Sequence, residues 1–275
     1  ALGHGAQRAD TAGVADHGPG GGGGPPPGGL IPPMMASAGP VPAGPGWSFE
    51  IKFDGVRAVG YAVAGGLRLF SRNDRDISAS YPDVAHLQVA DGLVLDGELV
   101  ALDEHGRPDF ALLQQRMHVI RPSPALLAEV PVRYVVFDVL RDEAGRLLLD
   151  EPFTTRRQVL EDLRLESVQV SPVFADTPGE LVMAAARQQG LEGVVAKRAT
   201  SRYEPGRRSR AWIKTPIRRT AEVVVVGWSP STAHPNVLGS LPENLVLDPF
   251  DNAGLPPPEP AAGYVDSEIE QSAFW

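Results

Sequence analysis

The chain has 275 residues, 43% of them apolar, which is enough for one large domain or two ordinary ones. It contains no cysteine, which excludes disulfide bonds, thiolate zinc sites and cysteine nucleophiles. The net charge of -9 does not exclude a nucleic-acid partner, because residues 222–275 carry eight acidic and no basic residues while residues 49–221 carry 24 of each sign. Without an apolar run of about 18 residues or a secretory signal we expect a soluble, cytoplasmic protein outside the membrane.

The N-terminal part is predicted to be a flexible leader followed by a strand. Residues 1–29 contain a Gly- and Pro-rich run that can bury almost nothing, so we predict a disordered segment there. From Trp47 apolar and polar residues alternate, which predicts a half-buried strand. Its apolar face is formed by Trp47, Phe49, Ile51 and Phe53. Its polar face carries an amine between two carboxylates, namely Glu50, Lys52 and Asp54.

Four further strands and three helices are predicted after this strand. The strands, rich in Val, Leu and aromatic residues, are 57–63, 67–71, 93–102 and 133–140. The helices are 110–118 with Asp109 as cap, 156–165, and one that begins with a capping box at 177–180, has Pro178 at its first position and ends before Gly190. Strands mixed with a few helices, without regular alternation, predict an α+β fold.

Several of these elements carry residues suited to chemistry. Asp96 and Glu98 form a carboxylate pair that suits a divalent metal or a ribose hydroxyl. Phe137 is interpreted as a core aromatic unless a purine is present to stack on it. Glu192 and Lys197 differ in strand parity, so both can reach one site only if Glu192 lies in the turn before the strand.

A basic stretch follows, and the rare lysines stand out within the chain. Residues 197–219 hold nine basic residues and one acidic residue, which suits either phosphate neutralisation or an ordinary solvated surface. Of the 25 basic residues in the chain only three are lysines, Lys52, Lys197 and Lys214. An amine can lose its proton and attack phosphorus, whereas a guanidinium effectively cannot, so these three positions are candidates for catalysis.

At this point the chain resembles the covalent nucleotidyltransferases. Five motifs in order carry the resemblance: 52–57 (Lys-Phe-Asp-Gly-Val-Arg), 96–98 (Asp-Gly-Glu), 137–138 (Phe-Asp), 192–197 (Glu-Gly-Val-Val-Ala-Lys) and 212–214 (Trp-Ile-Lys). The flanks 46–50, 71–73 and 110–116 are similar to bacterial ATP-dependent DNA ligases of the end-joining type. The resemblance covers about residues 31–230. It implies an ATP-grasp-like adenylation domain of antiparallel sheets with flanking helices.

The resemblance implies a role for each matching residue. Lys52 would attack the α-phosphorus of ATP and form a lysyl-AMP intermediate. The other residues implied to bind the nucleotide are Glu50 at adenine, Phe137 stacked on it, Arg57 and Arg72 at the ribose and phosphates, Lys197 and Lys214 at the α-phosphate, and Asp54 and Glu98 beside the nucleophile. Glu98 and Glu192 would hold Mg²⁺ or Mn²⁺. The implied partners are nicked or broken double-stranded DNA and end-joining proteins, and we expect a monomer.

The chain departs from this family in three places. Where the fifth motif usually reads Lys-x-Lys, this chain has Lys214, Thr215 and Pro216, so one phosphate contact is either absent or supplied by Arg218. Asp74 stands where Gly is common. We predict an adenylation domain over residues 30–220, whereas the acidic residues 221–275 hold only the start of the family's second, OB-type domain, either truncated or degenerate.

Two alternatives accompany the ligase interpretation. A capping-type guanylyltransferase or an RNA ligase shares the lysyl-nucleotide chemistry, but the flanks of Lys52 favour a DNA ligase. A non-catalytic nucleic-acid-binding remnant is the second alternative, because the OB-type domain is incomplete.

Overall fold

Two five-stranded sheets form the framework of the protein. A computed structural model describes residues 28–217 and four short strands beyond them. Sheet A has the order β1-β10-β9-β2-β8. Its strands are β1 (Met35–Ala38), β2 (Trp47–Lys52), β8 (Val173–Phe174), β9 (Gly193–Arg198) and β10 (Arg208–Pro216). All its pairs are antiparallel except the edge pair β1 and β10.

Sheet B consists of strands that are mostly close in sequence. Its order is β4-β3-β5-β6-β7. Its strands are β3 (Val56–Val63), β4 (Gly66–Ser71), β5 (Val94–Ala101), β6 (Val132–Arg141) and β7 (Gln169–Val170). Again one edge pair, β6 with β7, is parallel and the others are antiparallel.

Five short helices lie around the sheets. They are α1 (Pro82–Ala85), α2 (Phe110–Gln114), α3 (Pro124–Glu129), α4 (Phe153–Asp162) and α5 (Gly179–Gln188). A 3₁₀ turn spans Ser78–Ser80. The predicted α+β class is therefore confirmed, because the described residues combine two largely antiparallel sheets with few helices.

The buried residues form three clusters, and the cluster that lies between the two sheets joins them. One cluster packs sheet B against the helices on its outer side, through residues such as Leu95, Leu113 and Leu160. Another packs the outer face of sheet A against α5, through Phe49 and Val182. The third lies between the sheets and joins Met34, Val59, Tyr61, Phe137, Tyr203 and Trp212. The polar faces of β2 and β5 border this third cluster, so the two sheets bring the predicted catalytic residues toward each other.

The predicted helices exist, but their ends differ. Asp109 caps α2 as predicted, accepting a hydrogen bond from the backbone N–H of Leu112 at 3.0 Å, but α2 stops at Gln114 instead of His118. The predicted helix 156–165 begins earlier, at Phe153. The capping box at α5 is wrong: Pro178 is the N-cap residue itself, and no side chain caps this helix.

The chain divides into two units, Ala1–Ile217 and Arg218–Trp275. In the second unit Val224–Val225 pairs with Val246–Leu247, and Ser229–Pro230 pairs with Leu238–Ser240, both antiparallel. The predicted leader and most of the predicted OB-type region lie outside the described residues. Among the residues that are described, no helix has the length and apolar character needed to cross a bilayer.

Candidate active site

Lys52 is the last residue of strand β2, and its side chain lies among charged groups. Its amine donates a hydrogen bond to the Glu192 carboxylate. Burial lowers the pKa of Lys52, and the nearby cation of Lys214 lowers it further, while the carboxylates of Glu98 and Asp54 oppose this change. A lysine with a lowered pKa supplies more of the neutral amine that a nucleophile requires.

Glu192 reaches Lys52 from the turn that precedes β9. The strand begins at Gly193, so Glu192 does lie in the turn that the parity argument requires. A side chain at Gly193 would collide with the carbonyl oxygen of Thr215 in β10, so only glycine lets β9 approach β10 this closely. One carboxylate oxygen of Glu192, Oε2, is buried without a hydrogen-bond partner. This oxygen could therefore bind a group that enters the site.

Glu98 lies on β5, directly opposite Arg57 on β3. Burial raises the pKa of Glu98 to about 7, although Arg57 and Lys52 lower it. The chain passes close to Glu98 at Gly55, where a side chain would collide with the carbonyl oxygen of Leu99 and with the Glu98 side chain. Gly55, three residues after Lys52, therefore lets Lys52 and this carboxylate lie near each other.

Arg57 is held in place by the second carboxylate of the pair. Its Nε and NH2 atoms donate to the two oxygens of the buried Asp96 carboxylate, at 2.6 and 2.7 Å. Burial alone would lower the pKa of Arg57, but the Asp96 carboxylate raises it above its usual value. Asp96 thus serves to orient Arg57.

Phe137 has two cations close to its ring. The guanidinium of Arg57 and the amine of Lys197 each lie 4.4 Å from the centre of its ring, and the ring of Trp212 meets it edge-on at 6.3 Å. Phe137 is only 8% exposed. Because the ring is nearly buried and already in contact with these groups, adenine stacking on Phe137 stays a prediction.

Lys197 is buried deep between the sheets with Glu50. Its amine lies 2.8 Å from Glu50 Oε2 and donates a hydrogen bond to the Phe137 carbonyl oxygen at 3.3 Å. Burial raises the pKa of Glu50 and lowers that of Lys197, while each partner's charge opposes the change in the other. Glu50 Oε1 has no hydrogen-bond partner, and neither has NH1 of Arg157, which lies 4.0 Å from it. The two atoms are buried and face each other as an ion pair without a hydrogen bond.

The remaining predicted site residues are spread around this centre. Lys214 faces Val195 across β9 and β10 and is half-buried. Burial raises the pKa of Asp54, which Lys52 counteracts. Arg72 is exposed in the turn after β4. In this turn Asp74 has a φ of 57°, a left-handed conformation, which explains physically why glycine is common there.

Four residues around the site escaped the sequence analysis. Arg156 makes a two-pronged ion pair with the buried Asp138 at 2.8 and 2.9 Å, and Arg157 lies beside Glu50. Tyr203 donates a hydrogen bond to Asp96, and the backbone of Met34 binds Tyr203 and Arg57. The paired arginines on α4 gave no functional signal in the sequence, because a helix carries such residues on its surface far more often than in a core.

The carboxylates of the site are compatible with a divalent metal ion that also binds phosphate. Within the described residues no cluster of three or more potential metal ligands occurs. Mg²⁺, however, is usually held by one or two carboxylates together with waters and substrate phosphates. Glu98 and Glu192 both approach Lys52, and the unpartnered Oε2 atom of Glu192 is available. These two residues therefore fit such an ion only with the substrate present.

Comparison with known sequences identifies relatives of this chain. The sequence family described as the ATP-dependent DNA ligase domain matches residues 41–215. The multifunctional non-homologous end joining DNA repair protein LigD of Mycobacterium tuberculosis H37Rv is 39% identical over 200 residues, 71% of this chain and 25% of LigD. The prophage-derived DNA ligase-like protein LigB of Bacillus subtilis 168 is 31% identical over 182 residues, 66% of this chain and 64% of LigB. The chain spans about a quarter of the length of its LigD relatives.

Solved structures show the same fold. A mycobacterial DNA ligase D, solved in complex with ATP and MES, has a TM-score of 0.60 and 38% identity, over 72% of this chain and 64% of that one. The ligase domain of Mycobacterium tuberculosis LigD has a TM-score of 0.57 and 36% identity, over 76% of this chain and 66% of that one. This likeness confirms the expected nucleotidyltransferase fold.

Proposed function

This chain belongs to the ATP-dependent DNA ligase family, and from that premise we propose that it is the adenylation core of an end-joining DNA ligase. The observation that carries the proposal is the state of Lys52. Its amine lies at the end of a rigid strand, burial lowers its pKa, and the carboxylates of Glu192 and Glu98 and the cation of Lys214 surround it.

In the first step Lys52 attacks the α-phosphorus of ATP. The amine lone pair forms the phosphorus–nitrogen bond, the bond from the α-phosphorus to the bridging oxygen breaks, and pyrophosphate leaves with that electron pair. The amine loses a proton as the new bond forms. Glu192 orients the attacking amine through its hydrogen bond, and Lys214 offsets the negative charge that develops on the phosphate oxygens.

The nucleoside is held by the residues between the sheets. Arg57, fixed by Asp96, is proposed to contact the ribose, and Glu50 is proposed to lie at adenine. Arg72 would have to approach the phosphates from its exposed turn.

Mg²⁺ is proposed as the metal ion, held by Glu98 and Glu192 together with the phosphates of ATP. When bound, the ion would neutralise phosphate charge and make the α-phosphorus easier to attack.

The following two steps use DNA. AMP passes from Lys52 to a DNA 5′-phosphate, which breaks the phosphorus–nitrogen bond, and a 3′-hydroxyl then displaces AMP and seals the nick. The exposed arginines around β10 are proposed to bind the DNA backbone. End-joining partner proteins, a monomeric state and a cytoplasmic location are part of the same proposal.

A nick-sealing assay with two substrates tests this function. Wild-type protein with ATP and Mg²⁺ should seal a nick that carries a 5′-phosphate, and GTP should not replace ATP. Lys52→Arg keeps the charge but removes the nucleophile, so it should fail on this nick and still seal a nick that is already adenylated. If the wild type seals neither nick, the ligase proposal is wrong; if GTP serves instead of ATP, the capping-type alternative replaces it.

A further inference from the structure

Tyr203 is a buried residue that the three-step reaction leaves without a role. It lies in the loop between β9 and β10, and its hydroxyl donates a hydrogen bond to Asp96 Oδ2 at 2.6 Å. The same hydroxyl accepts a hydrogen bond from the backbone N–H of Met34 at 2.9 Å. The hydroxyl thus acts both as a donor and as an acceptor.

These contacts close a ring of interactions around Arg57. Asp96 binds Arg57 through both oxygens, and Arg57 NH2 also donates to the carbonyl oxygen of Met34 at 3.3 Å. The peptide groups of Met34 are therefore linked to Arg57 twice, directly and through Tyr203 and Asp96. Asp96 is completely buried, so it has no water to replace a lost donor.

The hydroxyl of Tyr203 determines how the Asp96 carboxylate is oriented. Without it, the carboxylate keeps only its two bonds to Arg57 and can rotate together with that guanidinium. Because a two-pronged ion pair depends on the planes of both groups, such a rotation would tilt the guanidinium of Arg57. The ring of Tyr203 would stay in place, since it packs edge-on against Trp212 at 5.7 Å.

We propose that Tyr203 is a positioning residue, whose hydroxyl holds Asp96 so that Arg57 keeps the orientation in which it receives the nucleotide. This inference rests on the proposed function, because it assigns Arg57 to the nucleotide. It also explains why the short segment before β1 belongs to the site: the backbone of Met34 supports both Tyr203 and Arg57.

Tyr61 provides a matched control within the same buried cluster. Its hydroxyl accepts a hydrogen bond from the backbone N–H of Ile31 at 2.6 Å, in the segment that also contains Met34. Tyr61→Phe therefore removes a tyrosine hydroxyl and one bond to this segment, but it leaves the hydrogen bonds of Asp96 intact. Tyr203→Phe removes the bond to the segment and the bond to Asp96.

The test measures the Kd for ATP and the maximal rate of lysyl-AMP formation for the wild type and both variants. Tyr203→Phe should weaken ATP binding about tenfold, because a tilted Arg57 guanidinium loses part of its charge-assisted contact with the nucleotide, with a maximal rate close to the wild type. Tyr61→Phe should match the wild type in both. In an Arg57→Ala background Tyr203→Phe should cause no further loss, because its effect passes through Arg57.

Equal Kd values for both tyrosine variants, or a full additional loss in the Arg57→Ala background, would overturn the inference. An NMR measurement of the Arg57 Nε–H signal in the protein without ATP separates it from the proposed function. We expect Tyr203→Phe alone to shift this signal and speed its exchange with water. If the wild type forms no lysyl-AMP, the proposed function fails, and an unchanged Arg57 signal in Tyr203→Phe would then overturn the positioning role independently.

Discussion

At the scale of single residues, Lys52 has neighbours that act on its pKa in opposite directions. Burial and the cation of Lys214 lower this pKa, whereas the carboxylates of Glu98 and Asp54 raise it. A nucleophilic amine needs this balance, because its lone pair is available only after a proton is lost. The sequence pointed to Lys52, Lys197 and Lys214 because lysine is rare in the chain and because the motifs contain all three. It could not show that Lys197 pairs with Glu50 inside the protein, since that depends on how β9 and β2 are aligned.

The pH dependence of adenylation should respond to Lys214. Lys214→Gln removes a cation that destabilises the charged amine, so the pKa of Lys52 rises and the ascending limb of the pH–rate profile moves to higher pH. At neutral pH the rate should fall by about tenfold or more, since a group that stabilises the reacting phosphate is lost as well. Single-turnover formation of lysyl-AMP across the pH range measures both effects. Lys214→Arg keeps the charge and should leave the limb in place; a limb that moves to lower pH in Lys214→Gln would contradict this account.

At the scale of elements, the fold depends on pairings that connect distant parts of the chain. The segment β1 contains only four residues without alternation, and it is a strand because it pairs with β10. Strands β7 and β8 have two residues each and are too short for a pattern to reveal. By contrast, β3 to β6 were predictable, because each is a long apolar run bounded by turn residues. The helix α5 lost its predicted capping box because Pro178 occupies the cap position.

A buried ion pair attaches helix α4 to sheet B. We predict a large loss of stability when one partner of this pair is removed. Arg156 and Asp138 are both fully buried, and Arg156 also donates to the carbonyl oxygens of Glu151 and Ser201. Arg156→Met leaves the Asp138 charge without its partner, so the free energy of unfolding should fall by about 3–5 kcal/mol. Urea denaturation measures this change.

The exposed pair of Arg202 and Asp150 is the control for this prediction. These side chains are 71% and 91% exposed, so Arg202→Met should leave the denaturation midpoint unchanged. Equal stability losses in Arg156→Met and Arg202→Met would show that the buried pair does not hold α4.

At the scale of the whole molecule, the described basic residues of the stretch 197–219 include two lysines that face inward and several arginines that are exposed. Lys197 and Lys214 face the space between the sheets, whereas Arg207, which is 78% exposed, and Arg210 lie at the surface. The sequence set the two lysines apart by their rarity and their motifs, but it could not show that they face inward while these arginines are exposed. The network of Tyr203, Asp96 and Met34 was equally invisible, since it joins residues about 60 to 170 positions apart.

DNA binding should therefore lose salt dependence when surface arginines are removed. In Arg207→Gln/Arg210→Gln, two phosphate contacts are lost, and the slope of log K against log salt concentration should become shallower by about 2. Lysyl-AMP formation should stay at the wild-type rate, because DNA takes no part in the first step. Titration of nicked DNA at several salt concentrations measures the slope, and an unchanged slope would place the DNA elsewhere on the protein.

The most direct test of the account is the attachment of AMP to Lys52. The protein is incubated with α-labelled ATP and Mg²⁺, denatured and mapped by peptide mass spectrometry, with Lys52→Arg and Lys214→Arg in parallel. We predict a covalent AMP on Lys52 in the wild type and in Lys214→Arg, and no label in Lys52→Arg. Label on another residue, or equal label in Lys52→Arg, would contradict the assignment of Lys52 as the nucleophile.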